Sequence, residues 1–472
     1  MTHTRFGRPA WGAAGALALA ALAGSLAPAA AGAQGFGLNE VGSCSVGRAG
    51  AGVAAPCADA SRIYWNPATA VRLPGVNMLV GAASVAVDGK FAMDRTGVVH
   101  SGDVPVEVPP HLFATYQVQP RFNVGLGVYV PYGLTSQWAD DFPGRFSALK
   151  ASLASIYIQP NFAVAVVPGK LAVGGGPVIG ISDVELVQGI DLAYQQTPVG
   201  VTFGQLGIPE NTEFARASLK GHSVAWGYDV GIHWQMLPSV AVGARYLSEM
   251  TFDYNDANAA FAPVQTGLVL AAGNPLNLPG GTPVDAIVAS QFGAGGALTA
   301  RGVQTSISHP AQAQAGIGIT AIPNTTINLD YAWVGWSAFD ELPVNFRGTN
   351  APANRALIED YEDSWAVRGS LDYAFNNGWV ARVGSSYIKT PVPDVSVTPL
   401  LPDMDRYNFA GGLSVPFMGR YALDASYLRV ETEGRRGRIV ERTDRAQTAE
   451  QLNGGFYTLG ANIFSLSLRA SF

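Results

Sequence analysis

The sequence predicts an all-β protein, a transmembrane antiparallel β-barrel with a plug at its N-terminal side. Three observations point there. Charged residues make up only 14% of the 472-residue chain, while glycine is abundant at 56. Beyond the leader, no apolar run reaches the ~18 residues of a membrane-spanning helix. Many stretches also alternate apolar with polar residues at a period of two, as a strand does when one face meets lipid and the other an enclosed lumen.

In chain order, residues 1–33 read as an export signal. Arg5 and Arg8 form the positive region, Trp11 to Leu26 the apolar stretch, and Ala31-Gly32-Ala33 a small-x-small cleavage site that starts the mature chain at Gln34. A retained anchor is the weaker reading, because the apolar stretch is short and runs into Pro28. Residues 34–75 follow. From Gly35 to Gly75 the chain is rich in Gly and Ala and has no steady period. Such a segment is too irregular to span a membrane and too poor in large side chains to build its own core, so it is ordered only if enclosed. Its Cys44 and Cys57 have one intramolecular pairing available. An oxidising periplasm favours that disulfide over two free thiols.

Residues 76–472 supply the enclosure. Phe122, Val124, Leu126, Val128 and Val130 share a face against Asn123, Gly125, Gly127 and Tyr129. Ile156, Ile158 and Phe162 oppose Ser155, Tyr157, Gln159 and Asn161, and Trp226, Tyr228, Val230, Ile232 and Trp234 oppose Asp229 and His233. The pattern continues at 240–246, 327–333, 365–375, 407–417 and 464–472. The polar faces carry Asp, Arg, Asn, His and Gly rather than the Lys, Glu and Thr of a solvated sandwich, which argues for a lumen. The count lies at about 12 to 16 strands, an even number being expected. Short connections such as Leu237-Pro238-Ser239 and Asn376-Asn377-Gly378 fit the periplasmic side. Longer ones, beginning at Pro131, Ile190, Thr251, Ser337, Lys389 and Glu431, fit the exterior. The Ala/Pro/Gly-rich stretch Ala257–Ala300 suits short helices over the mouth.

Several function classes lack support. A net charge of −6 without a basic face argues against nucleic acid. The His residues are scattered and form no nucleophilic triad, Cys-x12-Cys without nearby His is poor for a metal, and Gly174-Gly175-Gly176-Pro177 lacks the Lys-Ser/Thr of a phosphate cradle. No enzyme and no cofactor are expected. Arg435, Arg436 and Arg438 are a loop cluster, either simply solvated or in contact with lipopolysaccharide phosphates. Arg121, Arg245, Arg368 and Arg382 are lumen-side candidates for a carboxylate. A general diffusion porin is the competing class, and the plug sequence speaks against it.

Four blocks carry a resemblance to a known family. They are GFGLNE (Gly35–Glu40) with Gly47-Arg48-Ala49 and Asn66-Pro67-Ala68; VPYGLTSQW (Val130–Trp138) with Gly144-Arg145-Phe146 and Ile156–Ala163; Trp333–Ser337; and Thr390–Asp394 with Pro402–Arg406. In this order and spacing they resemble the FadL family of outer-membrane long-chain fatty acid transporters. The terminal Phe472 is similar to the aromatic end that such barrels offer to the insertion machinery. The resemblance implies a 14-stranded barrel in the Gram-negative outer membrane, plugged by an N-terminal hatch. It implies uptake of long-chain fatty acids, or of aromatic or alkane hydrocarbons, with release through a wall opening at a kinked third strand. It also implies a monomer that meets lipopolysaccharide and outer-membrane lipid. The third strand matches Arg121–Gly133, where Pro131 cannot donate to a ladder and Gly133 follows. Phe36, with Leu38 beside it, falls at the tight binding pocket, and Asn66, Pro67 and Ala68 are expected beside the kink as part of the gate. Cys44, Cys57 and the Ala257–Ala300 stretch depart from the family.

Overall fold

The computed structural model describes residues 35–38, 41–197, 199–349 and 351–472. The export-signal reading, with Gln34, lies outside those residues. Fourteen antiparallel strands close into one barrel. They are β1 (Val76–Met93), β2 (Pro110–Gln119), β3 (Phe122–Gln137), β4 (Lys150–Val167), β5 (Leu171–Asp191), β6 (Glu213–Leu237), β7 (Val240–Leu247, continued by Met250–Pro263), β8 (Arg301–His309, continued by Gln312–Ile319), β9 (Thr325–Val334), β10 (Ser364–Ala374), β11 (Val380–Ile388), β12 (Arg406–Phe417), β13 (Tyr421–Thr432) and β14 (Gly455–Ser471). Each pairs with its chain neighbour, and β14 returns to β1 in a register running from Asn77↔Ser471 to Met93↔Gly455. Closure leaves no free sheet edge in a medium that cannot hydrogen-bond one.

The alternation decides the faces. Trp226, Tyr228, Val230, Ile232 and Trp234 of β6 are exposed on the outer wall, whereas Asp229 and His233 between them are buried. One turn shows its local logic: Gly378, in Asn376-Asn377-Gly378, takes a φ of 84°, which a side chain would strain.

The strands run further than the sequence suggests. β3 continues past Pro131 to Gln137, and Met250–Pro263 belongs to β7, so the stretch from Ala257 begins as strand rather than loop. Apolar alternation fades there because both faces leave the lipid. Beyond it, the helix Val284–Val288 and the 3-10 turn Ala289–Phe292 pack with Leu192, Phe203, Leu206 and Phe214 into a second apolar cluster at the long-loop end.

Residues 41–75 form no barrel strand and are mostly buried against inward-facing side chains. Their anchors are ionic and main-chain. Arg48 donates to Asp372 of β10 at 2.5 Å, and Asp372 also holds Arg382 at 3.2 Å. Asp330 of β9 accepts from the amides of Gly52 and Val53. Cys44 and Cys57 are joined in a disulfide within this segment.

Candidate functional site

The site grows from one defect in the wall. β2 pairs with β3 only as far as Leu112↔Val128. Pro109 and Pro110 then begin the β2 edge and Pro131 follows on β3, and none of the three has an N–H to offer a ladder. On its other side β3 stays paired with β4, but the register shifts between Tyr129↔Tyr157 and Tyr132↔Ser155, which inserts one extra residue into β3. Such a bulge bends the strand away from its neighbour.

The N-terminal end of the hatch occupies the bare edge. Leu38 N donates to Pro131 O at 2.7 Å, Gly133 N donates to Phe36 O at 2.9 Å, and Gly37 bridges Tyr132. Leu38 is 1% exposed and packs against Val130 and Ile156, both from the outward-facing series. Outside the wall the break opens into a groove of about 510 Å³, bordered by Pro109, Pro110, Val130, Ile156 and Ile181.

Inside, Phe36 is 3% exposed and enclosed by rings. Trp336 and Phe339 meet it edge-on with centroids at 4.7 and 5.3 Å, His309 lies at 5.5 Å and Tyr132 at 6.0 Å. Tyr132 and His309 are engaged elsewhere: Tyr132 Oη donates to Pro310 O and accepts from Gln312 Nε2, while His309 Nδ1 and Tyr157 Oη share a hydrogen bond of 3.0 Å; Trp336 Nε1 is buried without a hydrogen-bond partner among the described residues. Gly35 N donates to Asp403 Oδ2 at 3.1 Å, and Asp403 is in turn held by Thr390 and Arg406. Burial raises the Asp403 carboxyl above its ordinary range, and Arg406 opposes that rise.

The blocks that carry the sequence resemblance therefore converge. Phe36 comes from the first, Tyr132 and Pro131 from the second, Trp336 from the third, and Thr390, Asp403 and Arg406 from the fourth. His309 and Phe339 carry no such signal; they reach the cage because β8 breaks at Pro310 and because a 3-10 turn follows β9. Phe36, Leu38, Pro131 and Gly133 are brought together here.

Asn66, Pro67 and Ala68 are elsewhere. They sit on the β4–β6 wall rather than at the kink. Asn66 Nδ2 donates to Val53 O and to Ile232 O, its Oδ1 accepts from Ala68 N, and Pro67 O accepts from Asn161. A Cβ on Gly174 would lie 2.7 Å from the Ala68 Cα, so the glycine run of β5 makes room for this turn. Two further expectations are corrected. Arg121 is exposed in the β2–β3 turn, outside the alternating run, and so is not a lumen cation. Arg438 is buried and donates to Ile358 O, so it does not belong to a solvated basic cluster.

Comparison with known proteins agrees with this architecture. The family described as "Outer membrane protein transport protein (OMPP1/FadL/TodX)" matches residues 24–472. The chain is 23% identical over 443 residues to a long-chain fatty acid transport protein of Escherichia coli O6:H1, covering 91% of this chain and 93% of that one. It is 24% identical to the 47 kDa outer membrane protein of Pasteurella multocida, covering 88% and 90%. Two solved structures share the fold. A Pseudomonas aeruginosa FadL homologue has a TM-score of 0.74 at 20% identity, covering 93% of this chain and all of that one. The Pseudomonas putida toluene transporter TodX has a TM-score of 0.65 at 16% identity, with the same coverage. The closed barrel, the hatch on the broken third strand and a match along nearly the whole chain lead to one conclusion: this protein belongs to the OMPP1/FadL/TodX family of outer-membrane transport proteins, which are channels and not enzymes.

Proposed function

We propose that the protein takes up hydrophobic molecules, long-chain fatty acids or aromatic hydrocarbons, and releases them sideways through the wall at the β3 bulge. One observation carries this reading: the segment Gly35–Leu38 holds the main-chain edge that β2 leaves bare. A ligand that displaces Phe36 from its cage also draws Leu38 out of the break, and the groove outside becomes the exit. Sideways release suits such cargo, because burying each methylene is worth ~0.8 kcal/mol and the route never returns it fully to water. Asn66, Pro67 and Ala68 act in this gate as the fixed anchor against β4–β6, while Pro131 and Gly133 form the moving edge. Relatives named as a fatty acid transport protein and a toluene transporter support the cargo class.

The same reading assigns the surroundings. Arg436, an exposed arginine of its loop, serves contact with lipopolysaccharide, and Phe472, exposed at the end of β14, serves the insertion machinery. The test is deletion of Pro131 alone. Removing one residue cancels the bulge and keeps every other side chain on its face. Uptake of labelled oleate and toluene is expected to fall to the level of cells lacking the protein, with membrane assembly unchanged. Undiminished uptake of both would overturn the proposal.

A further inference from the structure

We infer that a groove at the top of β14 binds the core oligosaccharide of lipopolysaccharide through neutral sugars; this rests on the reading of the long-loop end as the exterior face that meets that glycolipid. The groove measures about 580 Å³ and lies between Asp394, Arg435, Arg436, Glu450, Asn453 and Phe456. Small-molecule sites run to ~300–1,000 Å³. Phe456 is the apolar element. Its ring is 39% exposed, while Gly455 and Tyr457 on either side of it are buried. Arg435–Gly437 pairs alongside as a short extra strand, and a Cβ on Gly434 would run into the ring, so the backbone there is pressed against it and holds it in place. A fixed ring bordered by carboxylates, guanidinium groups and an amide matches the two sides of a sugar. The C–H face packs on the ring, and the hydroxyls meet acceptors and donors around it.

Height chooses the ligand. Phe464 and Phe472 bound the lipid-facing series of β14, with Leu466 and Leu468 between them, as the two aromatic girdles of a barrel do. Above Phe464 the outward positions are Asn462, Gly460 and Thr458, and then Phe456. Eight residues at ~3.3 Å each, on a strand tilted by ~40°, put Phe456 about 20 Å above the upper girdle. A headgroup layer is only ~5–8 Å deep, so lipid phosphates end well below the groove. What stands beside an outer-membrane wall at that height is the oligosaccharide that the lipid carries. Charge then separates sugar from phosphate. Arg435 pairs with Asp394 and Arg436 with Asp94, and Glu450 adds a third carboxylate, so three negative groups stand with two positive ones. A phosphate would have to displace a carboxylate from one of the guanidinium groups. A sugar hydroxyl donates to those carboxylates and leaves both pairs intact. Asn453 Oδ1, buried and unpartnered among the described residues, is a further acceptor at the border.

The test uses the full-length mature protein in phospholipid nanodiscs, titrated with two lipopolysaccharides and read by native mass spectrometry. One carries a complete core and the other ends at its acidic innermost sugars. The expected result is at least about tenfold tighter binding of the complete form. Phe456→Ala and Glu450→Ala, each checked for the heat-modifiable gel migration of a folded barrel, should both bring the complete form down to the affinity of the truncated one. Removing the core phosphates enzymatically should leave the affinity of the complete form unchanged. Equal affinity for the two forms, or a Phe456→Ala protein that still prefers the complete one, would overturn the inference and leave the contact with lipopolysaccharide standing. Loss of binding on dephosphorylation would overturn it in favour of a phosphate site, and full competition by maltohexaose in favour of free oligosaccharides. No binding of either lipopolysaccharide would overturn both the inference and the reading it rests on.

Discussion

Glu359 shows what the long-loop end asks of one residue. It is buried beside Arg438, and burial pushes its carboxyl up to about 8, with Arg438 only partly opposing the rise. A raised carboxyl favours the folded loops in its protonated form. That stability is complete below the ordinary glutamate value of 4.5 and is lost as pH rises through about 8. Protease nicking in 335–363 should therefore be faster at pH 9 than at pH 5, and Glu359→Gln should flatten the profile; equal rates for the wild type at both values would refute the assignment. Nothing in the sequence marks Glu359, since its burial comes from loops far apart along the chain. Inward residues such as Asp229 and Arg245 are different. Their faces follow from strict alternation, so their place in the lumen is legible, although their pairing with each other needs the register of β6 with β7.

At the scale of elements, the hatch divides at its disulfide. The loop closed by Cys44 and Cys57 spans a separation of 13 residues and holds Arg48, Gly52 and Val53, the groups bound to β9 and β10. Gly35–Leu38 lies outside that loop, held to β3 by two main-chain hydrogen bonds and to Asp403 by the amide of Gly35. Replacing both cysteines by serine should cost the hatch about 3 kcal/mol in the chain-entropy picture. Hydrogen exchange should show faster amides within 44–57 and unchanged amides at 36–38; a uniform rise across the hatch would mean that the two parts do not move separately. The break in the ladder at Pro131 is legible in the sequence, because a missing donor is a local property; the extra residue that β3 carries against β4 is not, because it belongs to the register of the pair. The cage was not, because its rings come from 36, 132, 309, 336 and 339, and no period or spacing links them.

At the scale of the whole molecule, the barrel is filled. Hatch residues and their charged partners occupy the space that a diffusion porin leaves to water. Planar-bilayer recordings should accordingly show no steady current proportional to salt; such a current would favour the porin reading. β6 and β7 also show what the complete ring adds to its strands. Their ladder runs from Asp229↔Leu247 to Leu237↔Val240 at one end and from Ala215↔Pro263 to Lys220↔Asn258 at the other, with an interruption between. β8 continues on the far side of β7 past that interruption. Alternation locates each stave, whereas such interruptions depend on the pairing around the whole circumference.

The seam sets a chronology. Val76 and Phe472 exchange two main-chain hydrogen bonds of 2.9 Å, so the first strand is completed only when the fourteenth has been made. The hatch hangs from that first strand at Gly75, and its binding partners lie on β9 and β10. The same strand thus carries the seam along one side and the tether of the plug at its start, so closing the wall fixes the point from which the plug enters.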